Sequence, residues 1–495
     1  MRLIRMWIAE GFIEAKEGKV LEEVADDYLN DLLNRSLIQV ATTTSDRRAK
    51  TFRIHDLLRE IIISKSRDQN FATVLKGQNV QWSDRARRLS VHYTLLHLQP
   101  NRSVSQLRSL FMFEVIEKLR LHTLFPGGFR LLTLLNLDNS NLKKFPVEVV
   151  NLCYLKYLSL RNTKVKIVPR FIGKLHNLET LDLKYSQVTE LPVEILKLQR
   201  LRHLLLYRNE SIPRFIGKLH NLETSDIKYS QVIEPPDETQ KLQRSRLCSN
   251  LVKELGNLTQ LRRLGILKLR REDGKVLCSS IEKMSYLRAL SMVSIEEDEI
   301  VDLQHLSTPP ALLQRLYITG HLEMLPYWIP SLQNLVKLSL KWSKLKDDPL
   351  VYLQYIPNLV YLVLCQAFTG HILCFRAGGF KKLKILGLDE FDELKYIQVE
   401  PGAMVCLESL SIRWCKSLEK IPAGIEHLTK LKLLEFFDMP MELFNTLRPN
   451  VKDSKYWRVA HIPEVYSTYW RDGEWKVYSL ESTSDGENCP MLSTS

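Results

Sequence analysis

Leu155-Lys156-Tyr157-Leu158-Ser159-Leu160, Leu178-Glu179-Thr180-Leu181-Asp182-Leu183 and Leu201-Arg202-His203-Leu204-Leu205-Leu206 are three copies of one frame, Leu-x-x-Leu-x-Leu, starting 23 residues apart. Later copies begin at Leu335, Leu359, Leu383, Leu407 and Leu431, 24 residues apart. Weaker ones begin at Leu107, Leu132, Leu222, Leu261, Leu287 and Leu313. Alternate inward side chains make Leu-x-Leu a short strand, whereas a helix array would place its apolar residues at 3.6-residue spacing. Several copies continue as Leu191-Pro192-Val193-Glu194-Ile195-Leu196-Lys197-Leu198 does, a half that turns the chain back. One repeat cannot bury its own leucines, but stacked neighbours can. About five buried aliphatic side chains per repeat, at ~1.5–3 kcal/mol each, then offset much of the backbone entropy. The expected fold is α/β, a leucine-rich repeat solenoid (horseshoe) over residues 105–440.

Working outward, Pro169–Arg202 reappears as Pro213–Arg246, a tandem duplication offset by 44 residues. The copies differ mostly on the spine: Leu181 becomes Ser225, Leu191 Pro235, Ile195 Thr239, Leu196 Gln240 and Leu201 Ser245. Surface positions such as Lys184/Lys228 and Glu194/Glu238 are unchanged. Leucine-to-serine exchange empties a packed site and buries a hydroxyl, so residues 225–250 are expected to fray, within a degenerate segment at about 213–250. Hydrogen-exchange protection there equal to that of 155–200 would sink this expectation.

Ahead of the repeats, Val20–Leu33 is an amphipathic helix. Leu37–Ala41 and Thr51–Ile54 read as strands around a polar turn, and a second helix opens at His55. Helix, strand, wing, strand, helix is a small, mostly helical winged-helix domain, expected over 1–75 and truncated at its start. Residues 76–104 are expected to link it to the repeats. An aromatic cap is expected over 441–481, with Trp457, Trp470 and Trp475, then a disordered tail over 482–495.

The chain of 495 residues carries 70 Lys and Arg against 57 Asp and Glu, a net charge of +13. Lacking a run of about 18 apolar residues, it shows no transmembrane helix. Its start reads as no signal peptide, so the sequons at Asn34, Asn101, Asn209 and Asn257 carry no weight. The 8 cysteines include no Cys-x-x-Cys, against a zinc ribbon or disulfide scaffold. None of the 12 histidines stands at metal-ligand spacing, and no phosphate loop or Gly-x-Ser-x-Gly elbow occurs, so no catalytic or metal site is expected. His176 and His220 are copies of one exposed position, and Cys406 and Cys415 are expected as small apolar fillers. Arg85, Arg87 and Arg88, and Arg262, Arg263, Lys268, Arg270 and Arg271, form basic clusters with few interleaved aromatics. That favours a solvated face or an acidic protein surface over nucleic acid. Trp342 and Trp414, beside late strands, are candidate protein-binding residues, with rim packing as the plain alternative.

Four stretches remain: Leu3-Ile4-Arg5-Met6-Trp7-Ile8-Ala9-Glu10-Gly11-Phe12-Ile13, Asp27–Ile38, Ile54-His55-Asp56, and Arg88-Leu89-Ser90 with Leu107-Arg108-Ser109-Leu110. Together they resemble the winged-helix motifs of plant coiled-coil, nucleotide-binding, leucine-rich-repeat immune receptors. The likeness is to the subfamily named for resistance to Pseudomonas syringae pathovar maculicola. It implies a receptor that recognises a pathogen effector or a guarded host protein and triggers defence. It makes Ile54-His55-Asp56 the family's Met-His-Asp switch: His55 contacts the ADP β-phosphate and Asp56 supports the loop. ADP or ATP belongs to the full-length family, and none is expected to bind this chain alone. The nucleotide-binding and coiled-coil regions, absent from this sequence, are partners in cis or in trans, so the expectation is a truncated receptor or gene model. The resemblance further implies a cytoplasmic protein, free or attached peripherally to the plasma membrane. A repeat adaptor, such as a ubiquitin-ligase substrate receptor, or a decoy regulator is the alternative, although Leu3–Phe12 does not resemble an F-box.

Overall fold

The computed structural model describes residues 2–17, 19–43, 49–75, 85–92, 106–113, 130–207, 218–228, 252–448, 454–471 and 474–480. It divides into two units, Met1–Pro236 and Asp237–Ser495.

The first unit opens with helices α1 (Arg2–Glu10) and α2 (Leu21–Asn34). Ile4 and Ile8, one turn apart, pack with Ile13, Val24 and Ala25 into a small core. Gly11 ends α1 because its φ of 78° lets the Phe12 N–H donate back to the Trp7 carbonyl. Strands β1 (Gln39–Thr43) and β2 (Ala49–Arg53) pair antiparallel, and helix α3 (Asp56–Asp68) follows. The first strand begins two residues later than the hydrophobic pattern suggests. Ser36 adopts a φ of 57° and the Leu37 N–H donates to the Leu32 carbonyl, so the end of α2 consumes those residues.

A parallel ladder then runs through β3 (Thr73–Leu75), β4 (Arg88–His92), β5 (Ser109–Phe113), β6 (Leu134–Asn136), β7 (Tyr157–Ser159), β8 (Thr180–Asp182), β9 (His203–Tyr207) and β10 (Thr224–Lys228). Its first two strands precede residue 105, where the leucine frame starts. Leu89 and Val91 alternate inward there without a leucine opening the frame. In the duplicated segment the backbone of β10 pairs in register with β9, Ser225 opposite Leu204. Residues 229–250, where most of the expected fraying falls, lie outside the described residues, as do 93–105 and the tail 481–495.

Each prolyl half-repeat forms a 3-10 turn, at Val147–Asn151, Arg170–Lys174 and Val193–Lys197, capped by Pro146, Pro169 and Pro192. Successive turns approach so closely that a Cβ on Gly173 would lie 2.7 Å from the Glu194 carbonyl oxygen.

The second unit continues the pattern with β11 (Arg263–Leu269), β12 (Ala289–Ser294), β13 (Arg315–Thr319), β14 (Lys337–Lys341) and β15 (Tyr361–Cys365). After β16 (Ile372–Phe375), the strands β17 (Ile385–Asp389), β18 (Tyr396–Val399), β19 (Ser409–Arg413) and β20 (Leu433–Phe437) follow. Strands β16 and β18 form a small parallel sheet of their own. Strands β21 (Glu464–Arg471) and β22 (Glu474–Ser479) end the unit: β21 joins β20 in parallel and β22 folds back antiparallel on β21. That hairpin covers the last repeat's edge.

The opening leucine of every frame noted in the sequence, from Leu107 to Leu431, is no more than 1% exposed. The structure adds a residue class the frame does not reveal. Asn177, Asn221, Asn334 and Asn358 stand just before frame leucines, and each Nδ2 donates to a carbonyl of the preceding repeat at 2.6–2.8 Å.

Candidate functional site

His55 and Asp56 sit at the junction of β2 and α3. The exposed His55 is itself the N-cap: its Nδ1 accepts from the Leu57 N–H at 3.4 Å. With Nδ1 accepting, the Nε2 of this exposed ring is left to donate, as a hydrogen bond to a phosphate oxygen requires. The residue present therefore fits a nucleotide phosphate. Asp56 is exposed in the first turn of α3, a favourable place for a carboxylate, and makes no hydrogen bond or ion pair among the described residues. The turn is thus held by the histidine cap. No residue of α3 is buried, and its apolar side chains lie open: Leu57 is 69% exposed, Ile61 46% and Ile62 43%.

The other side of the winged helix is covered. Ala9 packs with Leu134 and Tyr157 of the ladder, joined by Met6 and Phe111. Three arginines also tie α1 and α2 to the repeats through carboxylates. Arg2 pairs with the buried Asp138. Arg88 pairs with Glu10 at 2.9 Å, and its guanidinium lies 4.7 and 4.2 Å from the ring centroids of Phe12 and Phe71. Arg202 donates to both oxygens of Glu22 at 2.8 and 2.9 Å and to Glu223 at 2.8 Å, while His203 Nε2 stands 3.3 Å from Glu22.

Burial would push the Glu22 carboxyl up, but the His203 hydrogen bond and the Arg202 charge hold it at about 2. Burial pulls His203 down to about 4, against the Glu22 hydrogen bond, so near neutrality it is an uncharged donor. Arg202, despite burial, is held above its ordinary value by Glu223 and Glu22. Sequence reasoning left Glu22, Arg202 and His203 unmarked and read Arg88 as part of a solvated or docking cluster. Their partners lie as far as 181 residues away in the chain, so no local pattern could join them.

Trp342 and Trp414 are half-buried at the corners after β14 and β19, with φ of 54° and 52°. Left-handed residues recur at these corners, including Gln366, Glu390 and Asp438. Each passes its N–H to the next repeat, as Trp342 does to the Cys365 carbonyl at 2.7 Å and Trp414 to that of Phe437 at 2.9 Å. Trp414 also meets the Phe437 ring edge-on at 5.2 Å, and Phe437 lies 4.4 Å from Trp475. Both tryptophans therefore stand on a rim of the ladder, one of them within an aromatic cluster. Asp389 on β17, raised to about 6 by burial, faces Arg413, whose guanidinium pairs with Glu435 at 2.8 Å.

His176 and His220 are exposed, Cys415 is buried and Cys406 half-buried. Among the described residues no group of three or more His, Cys, Asp or Glu is placed to hold a metal, and no helix is long and apolar enough to cross a membrane.

Two known families match the chain: a leucine-rich repeat region over residues 106–442 and a disease resistance protein winged helix domain over residues 1–62. Disease resistance protein RPM1 of Arabidopsis thaliana is 34% identical over 487 residues, covering 97% of this chain and 51% of that protein. Disease resistance protein Pik-2 of rice is 30% identical, covering 87% of this chain and 47% of its own length. The chain thus spans about half the length of the curated relatives it matches. Among solved structures, a leucine-rich repeat protein of Leptospira interrogans superposes with a TM-score of 0.51 at 22% identity, over 77% of this chain and 95% of that one, a likeness of fold. A winged helix held on the strands of a repeat ladder, with the leucine-rich repeat region matched over most of the chain, places the chain in the leucine-rich repeat family, led by a winged helix that matches that of disease resistance proteins.

Proposed function

We propose that the chain is the recognition half of an intracellular plant innate immune receptor. Its repeats bind a pathogen effector or a guarded host protein, and its winged helix reports that event to a nucleotide-binding region in cis or in trans. The observation that carries this reading is the two-sided winged helix: one side is clamped to the ladder through Glu10, Glu22 and Arg2, while α3 and His55 lie uncovered. The open apolar face suits packing against the nucleotide-binding region, and His55 Nε2 suits a hydrogen bond to the β-phosphate of ADP bound there. Binding of a partner to the repeats would then shift the balance between clamped and released winged helix.

The test is a receptor in which this chain is joined to the nucleotide-binding and coiled-coil regions of a relative, expressed transiently in leaf tissue. Arg202→Glu, which breaks the clamp by repulsion, is expected to trigger cell death without an effector. A clamp-broken receptor that stays silent at normal protein level would overturn the reading.

A further inference from the structure

In the second unit, Arg263, Ala289, Arg315, Lys337 and Tyr361 are successive partners across β11 to β15. Neighbouring strands lie about 4.8 Å apart, so Arg315 and Lys337 stand side by side on the strand face, an arrangement that works against folding. Lys337 is 9% exposed, its ammonium 3.6 Å from the Tyr361 ring centroid and 5.6 Å from that of Tyr317. The half-buried Arg315 side chain makes no hydrogen bond or ion pair among the described residues. Arg413, farther along the same face, has Glu435, and Arg271 has Glu323.

We propose that Arg263, Arg315 and Lys337, with Tyr317 and Tyr361, form a docking seat for an acidic, extended segment of a partner protein. The seat rests on the recognition reading above and names its chemistry. Arg315 offers a planar fork that takes a carboxylate through two hydrogen bonds, and Lys337 a fixed point charge beside it. The tyrosines hold that charge in place through their ring faces. The same geometry disfavours single-stranded nucleic acid, because a base stacking on either ring would have to displace the Lys337 ammonium. The sequence hid the seat: the basic cluster at Arg262–Arg271 has no tyrosine nearby, and the ladder register brings Tyr317 and Tyr361 to it.

The purified full chain is titrated, by fluorescence anisotropy at two salt concentrations, with a labelled glutamate-rich peptide. A lysine-rich peptide and an oligothymidylate of matched charge serve as comparisons. The expected result is salt-sensitive binding of the acidic peptide, weakened about tenfold by Arg315→Ser and further by adding Lys337→Gln. Arg271→Ser, an exposed arginine already paired, should leave it unchanged. Because Lys337 is buried, the Arg315→Ser variant alone decides if the double variant misfolds. Equal binding by wild type and Arg315→Ser would overturn the proposal, as would tighter binding of the oligothymidylate. Peptide binding by a chain that is inert in the leaf assay would sink the receptor reading and leave the seat standing.

Discussion

Arg202 holds two carboxylates of different origin. Glu22 comes from the winged helix and Glu223 from the duplicated segment, where it is the copy of Glu179. The duplication thus set a second acid beside an arginine that already faced the winged helix. Removing the guanidinium leaves both acids largely buried and facing each other, so Arg202→Ala should destabilise the first unit by about 3 kcal/mol, as read by chemical denaturation. His203 gives the same clamp a pH dependence. Its folded-state value of about 4 lies below the ordinary 6.5, so the unfolded chain takes up the proton first. Stability is therefore present above pH 6.5 and is lost as pH falls toward 4, by about 3 kcal/mol at most. The Glu22 carboxylate adds loss in the same direction, from its ordinary 4.5 down to about 2. His203→Gln, which still donates to Glu22 but cannot titrate, should flatten the curve between pH 6.5 and 4. An unchanged curve would remove His203 from the account.

At the scale of the repeat, the leucine frame was legible from Leu107 to Leu431, because a spine position needs only its own side chain to announce itself, whereas β3 and β4 ahead of it carry no such frame. The winged helix was legible too, to within two residues at its first strand. What escaped was everything that a repeat does for its neighbour. The asparagine staples are one case: Asn358 donates to the Gln333 carbonyl at 2.8 Å, a contact invisible until the repeats stack. Asn358→Ala should cost about 1 kcal/mol and speed exchange of the β14 and β15 amides. Gly173 is another. Alanine there would press its methyl onto the Glu194 carbonyl oxygen of the next turn, within backbone that cannot yield as a side chain does. Gly173→Ala should therefore cost more than the asparagine despite adding one carbon, and a neutral result would show that the 3-10 turns slide freely. The left-handed corners follow the same logic: Trp342 and Trp414 adopt a conformation that bulky residues rarely take, and the N–H bond to the following repeat offsets the strain.

For the molecule as a whole, the division into two units carries a mechanical consequence. In a stack of repeats each one touches its neighbours alone, so damage spreads by nearest-neighbour coupling and fades with distance. Strands β3 to β10 belong to one unit and β11 to β22 to the other, with residues 229–262 between them in sequence, of which 229–251 are not described. Leu181, fully buried on β8, is the sharpest probe of this division. Leu181→Ala should cost about 2–5 kcal/mol, because the spine on either side cannot collapse into the gap. Hydrogen exchange followed by mass spectrometry should then show faster exchange at Tyr157–Ser159 and His203–Tyr207, the strands on either side. It should also show faster exchange across α1, because Tyr157, which packs against Ala9, lies on the neighbouring strand. Strands from Arg263 to Ser479 should keep their wild-type rates. Equal loss of protection in both units would mean that the chain unfolds as one cooperative body.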